Sequence, residues 1–256
     1  MFSSLQFRSN VNKYFQLNKI TNLLFFSFSI FVLFLLFSFE SQFAQSEEII
    51  TIVPGSSDSS RYRFFDITEY PINPGEEIKW YNADNILHNI KVMYNDGRTI
   101  LSESDNIKPK GYFNYEFKEE GEYLFQSAIY PWMKGKIIVT DDINTIKESF
   151  ENDIDLYISW TPSAIKSGDK ALFKIIFIDK KSNKNQEHID YSFTIKESTS
   201  DTVLYKNSLT HSAWGIELAS SKFDLTGKFV GEVGIHGILF QPINPEYIEV
   251  EIESTR

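Results

Sequence analysis

The chain has 256 residues, of which 42% are hydrophobic and 16% aromatic, with a formal net charge of −10 and no cysteine. That length and apolar content suffice for one large core or two ordinary ones, and two domains is the expectation. The lack of cysteine excludes disulfides, thiolate nucleophiles and thiolate metal ligands.

At the N-terminus, Arg8, Lys13 and Lys19 precede an apolar and serine-rich run from Leu23 to Phe39, closed by the acidic Glu40. A basic segment followed by 17 such residues reads as a hydrophobic helix, either a signal peptide or a membrane anchor, over residues 1–46. Ala44 and Ser46 put small residues ahead of a candidate cut before Glu47. Basic charge on the N-terminal side leaves the bulk of the chain outside the cytoplasm. The expected localisation is therefore extracytoplasmic, secreted or anchored through the N-terminal segment. These 46 residues carry three basic and one acidic side chain, so the rest of the chain holds a net charge of −12. Such a surface disfavours nucleic acid and anionic lipid. The expected partner is another extracytoplasmic protein, with the membrane touched only through an uncleaved N-terminal segment.

From Glu48 to Thr140, short β-branched and aromatic runs recur between turn signals, with no sustained helical period. Ile49 to Val53, Glu77 to Tyr81, His88 to Met93, Tyr112 to Phe117, Glu122 to Ser127 and Lys136 to Val139 read as strands. Asn73-Pro74-Gly75, Asn95-Asp96-Gly97 and Pro109-Lys110-Gly111 supply turns between them. The segment 47–140 is thus expected to be a small β-sandwich. Residues 141–155, dense in acidic side chains, read as a linker. A second all-β domain is expected over 156–256, with strands at Leu156 to Trp160, Lys170 to Ile178, Ile189 to Ile195, Val203 to Tyr205, Lys228 to Ile235 and Tyr247 to Ile252.

One stretch says more than its strand pattern. Pro74-Gly75-Glu76 precedes a strand ending at Asn82, His88 follows, and Gly121-Glu122-Tyr123-Leu124-Phe125-Gln126-Ser127-Ala128-Ile129-Tyr130-Pro131-Trp132-Met133-Lys134-Gly135 closes the unit. This resembles the blue copper (cupredoxin) family of the amicyanin and plastocyanin type, over roughly the segment 47–140. The resemblance implies a Greek-key sandwich and a copper site of two imidazoles, one thiolate and an axial methionine. His88 and Met133 stand at two of the four ligand positions; Ser127 and Tyr130 replace the cysteine and the second histidine. A serine hydroxyl is not ionised at neutral pH, and a phenol titrates near 10, so neither substitutes well for what is missing.

The other three histidines lie in the second domain, where the strand His188-Ile189-Asp190-Tyr191, the later Thr210-His211 and a Gly-rich final hairpin make a pattern that resembles immunoglobulin-like domains attached to exported archaeal cupredoxins. Alternation puts His188 and Asp190 on one strand face, while His211 stands in Leu209-Thr210-His211-Ser212 and His236 in Gly234-Ile235-His236-Gly237. His188, Asp190, His211 and His236 are the alternative metal ligands.

No HExxH, phosphate-binding glycine loop or flanked Ser-His-Asp set occurs, so an enzyme is not expected. The expectation is a non-catalytic binding or structural module with a degenerate copper site and no cofactor. The alternative is a non-blue copper-binding or copper-handling protein, using His88 with Met133 or the second-domain histidines.

Overall fold

The computed structural model describes residues 47–200 and 202–256. The expected N-terminal helix, with its cleavage or anchoring, lies outside them. Among the described residues there are eighteen strands and no helix, hence none long and apolar enough to cross a membrane.

The first sandwich comprises β1 (Glu48–Ile52), β2 (Glu69–Ile72), β3 (Glu77–Asn82), β4 (Lys91–Tyr94), β5 (Ile100–Glu103), β6 (Tyr112–Glu116), β7 (Gly121–Gln126) and β8 (Lys134–Val139). Its sheets have the orders β1-β3-β6 and β2-β8-β7-β4-β5. The β1–β3 and β2–β8 pairs are parallel and the rest antiparallel. Parallel neighbours cannot be joined by a hairpin, so the chain must cross between the sheets. Strand alternation sends Ile78, Trp80 and Asn82 inward from β3, and the Trp80 ring packs on Phe113, Phe117 and Phe125. At Gly135 a side chain is excluded outright: a Cβ there would lie 2.3 Å from the Phe125 ring and 2.8 Å from the Thr68 carbonyl. The turn glycines Gly75 and Gly97 both have positive φ, as turns at Asn73-Pro74-Gly75 and Asn95-Asp96-Gly97 require.

Beyond Val139 follow β9 (Asn144–Ser149), β10 (Ile154–Thr161), β11 (Ile165–Lys166), β12 (Lys170–Asp179), β13 (Lys184–Asn185), β14 (Ile189–Glu197), β15 (Val203–Ser212), β16 (Ile216–Lys222), β17 (Gly227–Ile238) and β18 (Gln241–Thr255). One sheet runs β9-β10-β12-β13 with β16 also on β12, and the other runs β11-β18-β17-β14-β15. Phe173 against Phe193 and Phe177 against Tyr191 join the two faces into one core.

Two features depart from the sequence reading. The segment 141–155, expected to be a linker, carries β9, hydrogen-bonded antiparallel to β10 from Asn144 to Ser149. An edge strand needs few inward apolar residues, and here Ile146 alone packs on the second core, so the acidic composition masked it. The two sandwiches also share buried surface. Residues 171–178 of β12 are buried throughout. Phe173, Ile175 and Phe177 face the second core, while Ile176 and Ile178, with Ile216 of β16, join the cluster that fills the first. A sheet covered on both faces reads as a continuous apolar run rather than an alternation. The one charge in that run, Lys174, is buried and meets Glu48 of β1 at 3.0 Å. Trp214 adds a hydrogen bond from its Nε1 to the Thr51 hydroxyl and a ring contact with Tyr81.

Candidate metal centre

His88 lies in the approach to β4, fully buried, its backbone bridged in both directions to Ile107. Its Nε2 is 2.9 Å from Asp84 Oδ2. A carboxylate only accepts, so Nε2 carries the proton and donates; the neutral ring then has a bare lone pair on Nδ1. That Nδ1 is buried and has no hydrogen-bond partner. Burial pushes the Asp84 carboxyl up, but bonds from His88 and from the Gly55 and Asn85 amides outweigh it and hold it below the ordinary aspartate value. Asp84 is itself set by its amide bonding to Asn82 Oδ1, while Asn82 Nδ2 donates to the carbonyls of Ile86 and Ile107.

The loop from β7 to β8 faces this histidine. Ser127 is buried, and its hydroxyl donates to Asn89 Oδ1 at 3.1 Å and accepts from the Tyr130 amide at 3.1 Å. Asn89 Oδ1 also receives the amides of Ala128 and Ile129. The Ser127 amide bonds the Met133 carbonyl and the Met133 amide bonds the Tyr130 carbonyl, which closes a tight turn. Met133 is fully buried. The Tyr130 ring lies 5.2 Å from the His88 ring and 5.5 Å from Trp132. Trp132 Nε1 in turn donates to the Ser56 carbonyl, which fastens the β1–β2 connection over this end of the sandwich. The structure places the Tyr130 ring against His88, and Ser127 and Met133 in the same turn as Tyr130. It adds Asp84 and Asn89, which the sequence reading passed over; Asn89 follows His88 directly, and that adjacency was the available signal.

The first sandwich is similar to cupredoxins. A purple cupredoxin from Nitrosopumilus maritimus is 27% identical, with 37% of this chain and 100% of that one covered at a TM-score of 0.35. A methionine-to-alanine variant of amicyanin in its Cu(I) form is 19% identical, covering 37% and 82% of the two chains at a TM-score of 0.31. A tryptophan-to-tyrosine variant of reduced amicyanin is 18% identical, covering 39% and 88% at 0.31. No protein-family model and no curated protein matches the chain.

The donors present do not fit a thiolate-bound copper. The hydroxyl of Ser127 is engaged on both its donor and acceptor sides, and Tyr130 sets an aromatic ring against His88 where the resemblance implies a second imidazole. Of the four positions that the resemblance implies, two are unchanged: His88, whose buried Nδ1 has no hydrogen-bond partner, and Met133, which is fully buried.

The second-domain candidates separate into two groups. Across the β14–β15 ladder Asp190 pairs with His211, and Asp190 Oδ1 lies 2.8 Å from His211 Nδ1. His211 Nε2 lies 3.2 Å from His188 Nδ1. His236 stands apart from this chain. It is the extra residue of a bulge between Ile235 and Gly237, and its Nε2 meets the Ser192 hydroxyl at 2.9 Å. Among the described residues, no three histidine or carboxylate donors converge on one point.

Proposed function

We propose that this chain is an extracytoplasmic protein that uses a cupredoxin scaffold as a non-catalytic binding or structural module, its copper pocket converted to a hydrogen-bonded and aromatic plug. The observation that carries this reading is the Ser127 hydroxyl, bonded to Asn89 Oδ1 and to the Tyr130 amide. That geometry keeps the loop of a copper protein without its thiolate. The basic N-terminal segment and long apolar run of residues 1–46 support export with or without anchoring. The partner class is another extracytoplasmic protein, in keeping with a net charge of −12 on the exported portion.

The test is optical and electrochemical. The purified chain with one equivalent of Cu(II) is expected to show no intense copper–thiolate absorption in the visible and no reversible one-electron couple. An intense blue or purple band would overturn the reading. A second reading rests on the unpartnered Nδ1 of His88: with the soft thioether of Met133 it would hold Cu(I) without colour. Cu(I) binding lost in both His88→Ala and Met133→Leu would favour it.

A further inference from the structure

Away from the first pocket, imidazoles meet most closely where the start of β14, the end of β15 and the β17–β18 hairpin come together. Asp190 accepts from the Nδ1–H of His211, which leaves His211 Nε2 as a bare nitrogen facing His188 Nδ1 at 3.2 Å. Two nitrogens bound to one metal at 2.0–2.1 Å lie about 2.9 Å apart at a right angle and about 3.3 Å apart at the tetrahedral angle. The observed separation falls between these limits. The Asp190–His211 bond is the outer-shell arrangement that orients a metal-bound imidazole and raises its basicity.

The backbone around the pair is held against its preference. Of the six non-glycine residues with positive φ among the described residues, His188, Leu239 and Phe240 are three, and all three belong to this corner. Leu239-Phe240 forms the two-residue turn of the hairpin, where Asn-Gly is the favoured pair. His188 is fixed at φ 52° by its amide bonding the Ala213 carbonyl and its carbonyl accepting from Leu239. The turn sets the Phe240 ring over both imidazoles, with centroids 4.2 Å from His188 and 5.5 Å from His211. Local strain of this kind persists where surrounding structure imposes it, and it gathers at ligand sites. The side chains of Asp190 and His211 are 38% and 39% exposed, so solvent reaches the gap.

We propose that His188 Nδ1 and His211 Nε2 bind a late first-row divalent cation, Cu(II) most tightly and Zn(II) next, with Asp190 orienting His211 and water completing the coordination. The metal takes the place of the shared proton, and His188 then carries its own proton on Nε2. The site is independent of the first pocket.

The test is calorimetric titration of the full chain with Cu(II) alone, backed by NMR of the histidine rings. One site is expected whose affinity falls at least about ten-fold in His188→Ala and in His211→Ala, and about ten-fold in Asp190→Asn. It should be unchanged in His88→Ala and His236→Ala. In the wild-type protein, substoichiometric Cu(II) should broaden the ring signals of His188 and His211 before those of His88 and His236, a readout that needs no variant to fold. No binding, equal affinity in wild type and the two alanine variants, or broadening that begins at His88 would overturn the proposal. None of these results would supply the copper–thiolate band that contradicts the plugged first pocket, so the two readings fail separately.

Discussion

Glu217, on β16, is the side chain most out of step with its ordinary chemistry. Burial pushes its carboxyl up to about 7, and the nearby Asp66 carboxylate adds to this against bonds from Ser212 and Tyr191 and the charge of Arg63. Asp66 is raised in the same direction by its own burial. The folded chain therefore holds a proton on Glu217 that the unfolded chain releases above the ordinary glutamate value of 4.5. The stabilising share of this group is complete below 4.5 and is lost as pH rises towards 7. Glu217→Gln is expected to leave stability at pH 4 nearly unchanged and to raise it at pH 8 by up to about 3 kcal/mol. Denaturant unfolding at the two pH values measures this, and equal differences at both would contradict it. The grouping of Ser127, Tyr130 and Met133 is legible in sequence because all three fall within one short turn. Asp84 and Asn89 are not, since their roles consist of bonds to groups that only the folded backbone brings near. Strand parity does not account for His188, which precedes β14 with a left-handed backbone and reaches Asp190 only through His211, while His236 sits in a bulge where alternation breaks.

Among the strands, the long and strongly apolar ones were readable and the short or shielded ones were not. β2 holds only Glu69–Ile72 and contains Pro71, which in sequence argues against a strand; its place at the end of the β2-β8-β7-β4-β5 order is where a missing N–H is tolerated. The apolar run of β12 predicts a strand, and only the fold shows protein covering both of its faces. The β17–β18 hairpin offers a direct check on strain. Replacing Leu239-Phe240 by Asn-Gly is expected to raise stability by about 1 kcal/mol while weakening Cu(II) binding, because the ring over the imidazoles is gone. A loss of stability would show that Phe240 contributes more by packing than the turn costs. Gly135→Ala should act oppositely, costing about 1–3 kcal/mol through the clash with Phe125 and Thr68, as read from chemical denaturation.

At the scale of the molecule, the two sandwiches are joined by apolar side chains that count in the first core while belonging to the second domain, and by a buried ion pair. Glu48 bonds both Lys174 and, at 2.5 Å, the hydroxyl of Tyr70, whose ionisation burial holds well above the ordinary tyrosine range. Removing one member of a buried pair typically costs 3–5 kcal/mol, so Lys174→Ala is expected to destabilise the whole described unit by roughly that amount. Calorimetry should show a single transition displaced to lower temperature; two transitions, with only one displaced, would mean that the halves unfold separately. The central claim is that a copper-binding frame persists around a changed ligand set, and Ser127→Cys combined with Tyr130→His tests it most directly. Loaded with Cu(II), that double variant is expected to develop the intense visible band of a copper–thiolate centre that the wild type lacks. A folded double variant that stays colourless with copper would contradict the claim.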